Sequence, residues 1–406
     1  MKICIVGSSK LFFGGISAYT IVMANAFAQR DHQASAILLR KLVPLFLYPG
    51  KDHVGKDDYS IEFKPGVPVY DGMDWYSPGS WIGAWRFLCR EKPDAIIVHW
   101  WTSSVAHMQI LVSLFSRLSG RRPVIILEMH EVVDTLEEKI IPIRLYSRVA
   151  GRLLMRLCDL YIAHSEEARS SIIKTYHLAE HKIHVIPHGP YDIYNPVGQE
   201  EAQKELGLDG FVIMYFGMIR QYKGVPFLIE AFNGLPETIA RQAQLVIAGE
   251  DWNDDQDIGP SLKGSTYKDR IHYIPKFIPD SLVPKYFSAA DVLVLPYTRS
   301  SGSGVANIAA SQGKRIIISD IPTLKESFEN YEGASFFPVG DVSTLRDQLV
   351  NIYNQWKEKG PQHYNYKDNG WEYITNSYES IINNFKNKFG KGKHSVQDKF
   401  IASDGR

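Results

Sequence analysis

The run VIMYFGMIRQYKGVPFLIEAF, from Val212 to Phe232, decides the fold. Val212–Phe216 is a continuous apolar stretch with none of the polar alternation of a half-exposed strand. A turn follows, bounded by Gly217 and Gly224, and then Val225–Phe232 places apolar residues at helical spacing. A strand buried on both faces that feeds a turn and then a helix is the repeating unit of a parallel sheet.

The unit recurs on both sides. Downstream, strands are predicted at Leu245–Ala248, Ile271–Pro275, Val292–Leu295, Arg315–Ser319 and Ser335–Phe337, with helices at Ser281–Ala289, Val305–Gln312 and Ser343–Trp356. Upstream, strands are predicted at Ile3–Val6, Ala36–Leu39, Ala95–His99, Val124–Met129, Leu160–His164 and His184–Pro187. Helical spacing intervenes in Ile16–Phe27, Met108–Leu118 and Ile143–Leu157. Two successive sets of this kind predict an α/β protein of two doubly wound domains. The break falls near Pro187–Gln199, where Pro187, Gly189, Pro190, Asn195, Pro196 and Gly198 cluster. Trp371, Ile374, Tyr378, Ile381 and Phe385 form one apolar stripe of a late helix that must dock on something. Beyond Gly390 the chain is polar and aperiodic, and a disordered tail is expected.

Composition bounds the function. The chain has 406 residues, 45% hydrophobic and 22% charged, with 45 basic and 45 acidic residues. At about 150 residues per domain this gives two or three domains. The charge balance carries no electrostatic footprint for nucleic acid. Cys4, Cys89 and Cys158 are scattered and odd in number, which argues against a disulfide framework and for a reducing compartment. CxxC and HExxH are both absent, so no compact zinc motif is present and no metal is expected. No uninterrupted apolar run is long enough to span a membrane, and MKICIVGSSK reads as a first strand, not a leader.

Several residues stand where ligands bind in open α/β folds, at the carboxyl ends of strands. Arg220 and Lys223 are three apart after the strand Val212–Phe216 and can converge on one anion; a solvated basic loop is the plainer alternative. Ser301, Gly302, Ser303, Gly304 and Val305 precede a helix, where backbone N–H groups attract phosphate; a flexible loop is the alternative. Gly14 and Gly15 follow the first strand, where a ligand or only a tight turn would use them. His99 and His130 end strands of the first set and are expected to face a cleft. His188 lies in the inter-domain linker, and a hydrogen-bonded structural role is the alternative for all three. Asp255-Gln256-Asp257 spells a DxD but sits in a polar run that reads as a solvated loop. Arg144, Arg148, Arg152 and Arg156, with Lys139, repeat beside Leu145, Val149, Leu153 and Leu157. Such a helix can lie on an anionic membrane, or simply be solvated.

Taken in order, GGISAYT, PDAIIVHWW, YIAHSEEA, VIPHGPYD, YFGMIRQYKGVPFLIEAF, LVIAGE, FIPDSLVPKYFSAADVLVLPY, GKRIIISDIPTLKE and PVGDVSTL resemble the motifs of a GT-B glycosyltransferase of the retaining family 4. The resemblance implies two Rossmann-like domains facing a cleft. Residues 1–188 would bind the acceptor and residues 189–365 the nucleotide-sugar. Residues 366–389 would be a helix crossing back to the first domain, and 390–406 a disordered tail. It implies a hexosyltransferase acting in the cytoplasm on a glycan or lipid-linked acceptor, without cofactor or metal; the basic helix adds the expectation of a peripheral place on the inner face of the membrane. His99 would take the place of the active-site histidine, orienting the donor with His130 nearby. Arg220, Lys223 and the Gly302–Val305 backbone would stabilise the leaving diphosphate. The backbone at Phe277-Ile278 would hold the base. The chain departs from the pattern where the family carries two glutamates, since Ser300 and Ile308 take those places and Asn307 stands beside the second. Met218 stands where an arginine often follows the glycine, and Arg220 is expected to take its role. A non-catalytic relative that binds nucleotide-sugar, or a nucleotide-sugar epimerase, are the rival readings.

Overall fold

The computed structural model describes residues 1–12, 14–42, 54–55, 61–131, 141–191, 193–252, 258–367 and 369–401. The DxD at Asp255–Asp257, Lys139 and the extreme tail 402–406 lie outside the described residues.

The first sheet contains β1 (Lys2–Ser8), β2 (Gln33–Lys41), β3 (Val69–Asp74), β4 (Ala95–Trp100), β5 (Val124–Met129), β6 (Leu160–Ala163) and β7 (Ile183–Val185). Its helices are α1 (Gly15–Gln29), α2 (Pro78–Glu91), α3 (Ala106–Leu118), α4 (Ile141–Leu157) and α5 (Glu166–Tyr176). The second sheet contains β8 (Phe211–Phe216), β9 (Ala243–Ala248), β10 (Ile271–Ile274), β11 (Val292–Leu295), β12 (Arg315–Ser319) and β13 (Ala334–Phe337). Around it lie α6 (Gln199–Leu206), α7 (Val225–Asn233), α8 (Glu237–Ala240), α9 (Gly259–Lys263), α10 (Val283–Ala289), α11 (Gly304–Ser311), α12 (Pro322–Phe328) and α13 (Val342–Lys359). The last helix is α14 (Gly370–Ile401).

Every strand pairing is parallel. The strand orders are β3-β2-β1-β4-β5-β6-β7 and β10-β9-β8-β11-β12-β13. The central strands are buried along their length, as continuous apolar runs require. Each sheet reverses its winding once, between β1 and β4 and between β8 and β11. Loops that leave the carboxyl ends of two diverging strands open a crevice there, where doubly wound folds bind ligands.

The strand β3 escaped the sequence reading. Its VYDGMD sequence is short of β-formers, and it is an edge strand whose pairing with β2 is irregular. A second correction concerns the expected tail beyond Gly390, because the backbone stays helical to Ile401. Once the front of α14 is docked, adding a residue requires no new nucleus, and no proline interrupts the helix.

Several contacts among the described residues tie the two halves together. Ile374, Tyr378 and Ile382 of α14 are fully buried, and Arg30, the C-cap of α1, pairs with Glu372 at 2.9 Å. Trp371 lies on the linker, where its indole N–H donates to Pro190 O at 3.1 Å. A Cβ on Gly189 would stand 2.5 Å from that indole ring, so this approach requires glycine. Glu326 of α12 accepts from the backbone N–H groups of Glu166 (2.7 Å) and Glu167 (3.0 Å) at the start of α5.

Candidate active site

The loop after β8 makes a 3₁₀ turn at Gln221–Lys223 and passes into α7 through Gly224, whose φ is +66°. A Cβ on Gly224 would stand 1.8 Å from Pro296 O, the residue just after β11. The two loops at the switch point of the second sheet are thus held in backbone contact. Lys223 is half-buried, and its ammonium lies 3.7 Å from the centre of the Tyr297 ring. Burial pulls the Lys223 pKa below the ordinary lysine value. Tyr297 in turn lies beside Ser303, the N-cap of α11, whose hydroxyl accepts from Ala306 N at 3.2 Å. Arg220 shares the Tyr222 ring with Lys223 and also covers Trp252, at 5.5, 5.0 and 5.0 Å respectively for Arg220–Tyr222, Lys223–Tyr222 and Arg220–Trp252. The sequence-predicted basic pair therefore stands on an aromatic platform beside a helix N-terminus, a setting that favours an anion.

The glycine loops also meet. Tyr191 of the linker donates to Gly15 O at 3.2 Å, and a Cβ on Gly304 would lie 3.2 Å from its ring. Gly14 and Gly15 are exposed, as is Gly302, while Val305 is half-buried. Ser301 donates to Glu131 at 2.9 Å, joining the loop before α11 to the loop after β5. Asn307 is buried in the first turns of α11. Ile308, at the place of a family glutamate, is also buried, whereas Ser300 caps the Gly302 backbone with a 2.7 Å hydrogen bond. Phe277 and Ile278 follow the edge strand β10; Ile278 joins the core and Phe277 packs half-buried against it.

On the first sheet, the expectation that His99 faces the cleft is corrected. It is fully buried within β4. Its Nδ1 lies 3.1 Å from Thr20 Oγ1, whose own proton is donated to Ile16 O at 2.6 Å. Its Nε2 faces Glu128 at 3.2 Å. Thr20 and Tyr19 of α1 lie against the ring. His130, His164 and His188 lie beside it and are less completely buried. Tyr19 donates to Glu128 at 2.9 Å, and its ring touches that of His188 at 4.4 Å between centroids. Burial alone would raise the Glu128 carboxyl, but His99, His130 and His164 hold it well below the usual carboxylate range.

Glu128, Glu131, His164, Tyr19 and Tyr191 were not singled out from the sequence. Glu128 had a signal, since it is the one acid inside the apolar run VIILEM. His164 ends a strand as His99 and His130 do. Tyr19 and Tyr191 carried none, because aromatic residues at helical or linker positions are ordinary core material.

On the basic helix, Leu145, Val149 and Leu153 are exposed by 65, 62 and 45%. Arg148, Arg152 and Arg156 are exposed on the same helix, and Arg144 is half-buried. Among the described residues, no helix is long and apolar enough to cross a membrane.

Two family models match in tandem. Glycosyltransferase Family 4 covers residues 13–190, and Glycosyl transferases group 1 covers residues 198–370. Mannosylfructose-phosphate synthase of Agrobacterium fabrum is 26% identical over 176 residues, which is 41% of this chain and 38% of that protein. The match thus spans well under half the length of that relative. Among solved structures, sucrose-phosphate synthase of Thermosynechococcus elongatus superposes with a TM-score of 0.65 at 17% identity, over 99% of this chain and 100% of that one. The Anabaena protein HepE, in complex with UDP and glucose, gives 0.64 at 16% identity, over 97% of this chain and 100% of that one. These likenesses show the two-domain GT-B architecture. The two sheets with their opposed switch points, matched half by half to two models of one enzyme class, place this chain among the family 4, group 1 glycosyltransferases.

Proposed function

We propose that the chain transfers a sugar from a nucleoside-diphosphate donor to a glycan or lipid-linked acceptor, with retention at the anomeric carbon. One observation carries this reading: Lys223 and the N-terminus of α11 are joined through Tyr297 at the switch point of the second sheet, with Arg220 on the same aromatic platform. A diphosphate is the ligand that two cations and a helix N-terminus suit best. The complex of HepE with UDP and glucose supports the donor class.

In this reading the bond from the anomeric carbon to the diphosphate oxygen breaks, and its electron pair goes to that oxygen. Arg220, Lys223 and the N–H groups of residues 302–305 stabilise the charge as it grows. The acceptor hydroxyl adds from the same face, and its proton passes to the departing phosphate. Buried His99 acts on the donor side of the site through Glu128 and Thr20. The enzyme works without metal at the cytoplasmic face of the membrane, where the basic and apolar surface of α4 rests on anionic lipid.

Arg220→Ala and Lys223→Ala test the reading. Each is expected to slow turnover about a hundredfold, on the order of 3 kcal/mol in the barrier. The double variant is expected to lose less than the sum. Near-normal release of nucleoside diphosphate by both folded single variants would place the diphosphate elsewhere. Nucleotide-sugar binding without acceptor-dependent release in the unaltered chain would favour the non-catalytic reading, which Ser300 and Ile308 in place of the family glutamates motivate.

A further inference from the structure

Four histidines reach one spot from four strand ends: His99 in β4, His130 after β5, His164 after β6 and His188 after β7. Ring centroids stand 5.0 Å apart for His99–His130, 4.9 Å for His130–His164, 4.9 Å for His164–His188 and 5.6 Å for His130–His188. Glu128 is fully buried beside them, and its ion-pair partners among the described residues are all histidines. Its Oε1 lies 3.6 Å from His164 Nε2 and 4.0 Å from His130 Nε2. Those separations are too long for hydrogen bonds. Both Nε2 atoms lack a hydrogen-bond partner among the described residues, although their side chains are only 10 and 6% exposed.

The protons are placed for a different use. His164 Nδ1 lies 3.0 Å from Ile186 O, and His188 Nδ1 lies 2.9 Å from Gly189 O. A carbonyl only accepts, so each Nδ1 carries the proton and each Nε2 presents a bare lone pair. An imidazole fixed in this way by a backbone carbonyl is the arrangement found behind metal-ligating histidines. Donor atoms of His130, His164 and His188 lie within 4.8 Å of one another. Two ligands on a tetrahedral zinc, each about 2.0–2.2 Å from the ion, stand roughly 3.4 Å apart. The 3.6 and 4.0 Å carboxylate–imidazole separations must close by about 0.2 and 0.6 Å, and imidazole separations of up to 4.8 Å by up to about 1.4 Å, for all four donors to reach one ion.

We propose that His130, His164 and His188, with Glu128 as the oxygen donor, bind one divalent transition-metal ion of the zinc class. Imidazole-rich sets suit zinc, cobalt, nickel and copper, whereas magnesium and calcium take oxygen. The ion's charge also compensates the buried Glu128 carboxylate. The site involves neither the basic loop nor a nucleotide, so it stands or falls apart from the glycosyl-transfer reading.

The full chain, stripped on a chelating resin, is titrated with Co²⁺ and then Zn²⁺. One equivalent of Co²⁺ is expected to give the intense visible bands of a tetrahedral site, displaced by one equivalent of Zn²⁺. Zn²⁺ is expected to raise the midpoint of thermal unfolding, and Mg²⁺ to leave it unchanged. His164→Ala and His188→Ala are each expected to weaken Zn²⁺ binding at least about tenfold, and Glu128→Gln, which keeps the side-chain shape, to weaken it as well. His107→Ala, on α3 outside the cluster, is expected to leave it unaltered. A Co²⁺ titration without tetrahedral bands overturns the proposal, and so does equal Zn²⁺ affinity in the unaltered chain and the folded His164→Ala/His188→Ala double variant. Should the alanine variants fail to fold, the Zn²⁺ against Mg²⁺ comparison on the unaltered chain decides: no zinc-dependent shift overturns the proposal.

Discussion

Lys314 is held by carbonyls. Its ammonium donates to Ser288 O at 2.8 Å and Ala290 O at 3.0 Å, and burial brings its pKa down to about 8. An unfolded lysine titrates near 10.4. Between these values the unfolded chain binds the extra proton and the folded chain does not, so stability rises with pH. We expect urea unfolding to show a gain from pH 8 to pH 10, approaching on the order of 3 kcal/mol if other groups are silent. Lys314→Gln should flatten that slope. Other single residues differ in how readily sequence reveals them. Arg220 and Lys223 were legible because charge three residues apart in a strand-to-helix turn has a chemical meaning without coordinates. His99 was legible as a strand end but not as a buried residue, since its cover comes from helix α1, whose Thr20 is nearly eighty positions away.

Elements were more legible than residues. Twelve expected strands appear within three residues at each end, because a run buried on both faces carries its signature in consecutive letters. The edge strand β3 has one neighbour, and its order comes from β2 and not from its own composition. Helix α4 shows what periodicity leaves open. Arginines every four residues imply an outer face, yet the inner face is Ala150, Leu154 and Met155, and the outer one mixes arginine with Leu145, Val149 and Leu153. Each basic residue near an anionic surface adds about 1 kcal/mol, and the apolar side chains add to that. Vesicles rich in anionic lipid should therefore float the protein at low salt, and high salt should reduce the floated fraction. Replacing Arg148, Arg152 and Arg156 with glutamine should abolish it. Equal flotation on neutral vesicles would remove the electrostatic part of the idea.

At the scale of the whole molecule, the order of motifs along the chain carried the architecture, and the meeting of loops did not. Gly15, Tyr191 and Gly304 come from three distant segments, and so do Ser301 and Glu131. No spacing rule links them. The histidine cluster was hidden for the same reason, since a search for compact metal motifs cannot find donors delivered one per strand. The proposed chemistry places the leaving-group charge on protein cations, so EDTA should leave turnover within about twofold of the untreated rate. Loss of activity restored by Mn²⁺ would contradict that division of labour.

The carboxylate of Glu326 makes the opening of the cleft measurable. The first amides of a helix have no partner within it. In α5 those of Glu166 and Glu167 are satisfied from the other lobe, whereas Arg169 N bonds inside its own lobe to Ser165 O at 3.0 Å. Swinging the lobes apart therefore frays α5 at its start and returns two protons to water. Deuterium uptake at Glu166 and Glu167, referenced to Arg169, becomes a clock for hinge motion. A nucleotide that draws the lobes together should slow that clock, and Glu326→Ala should let it run fast in every state.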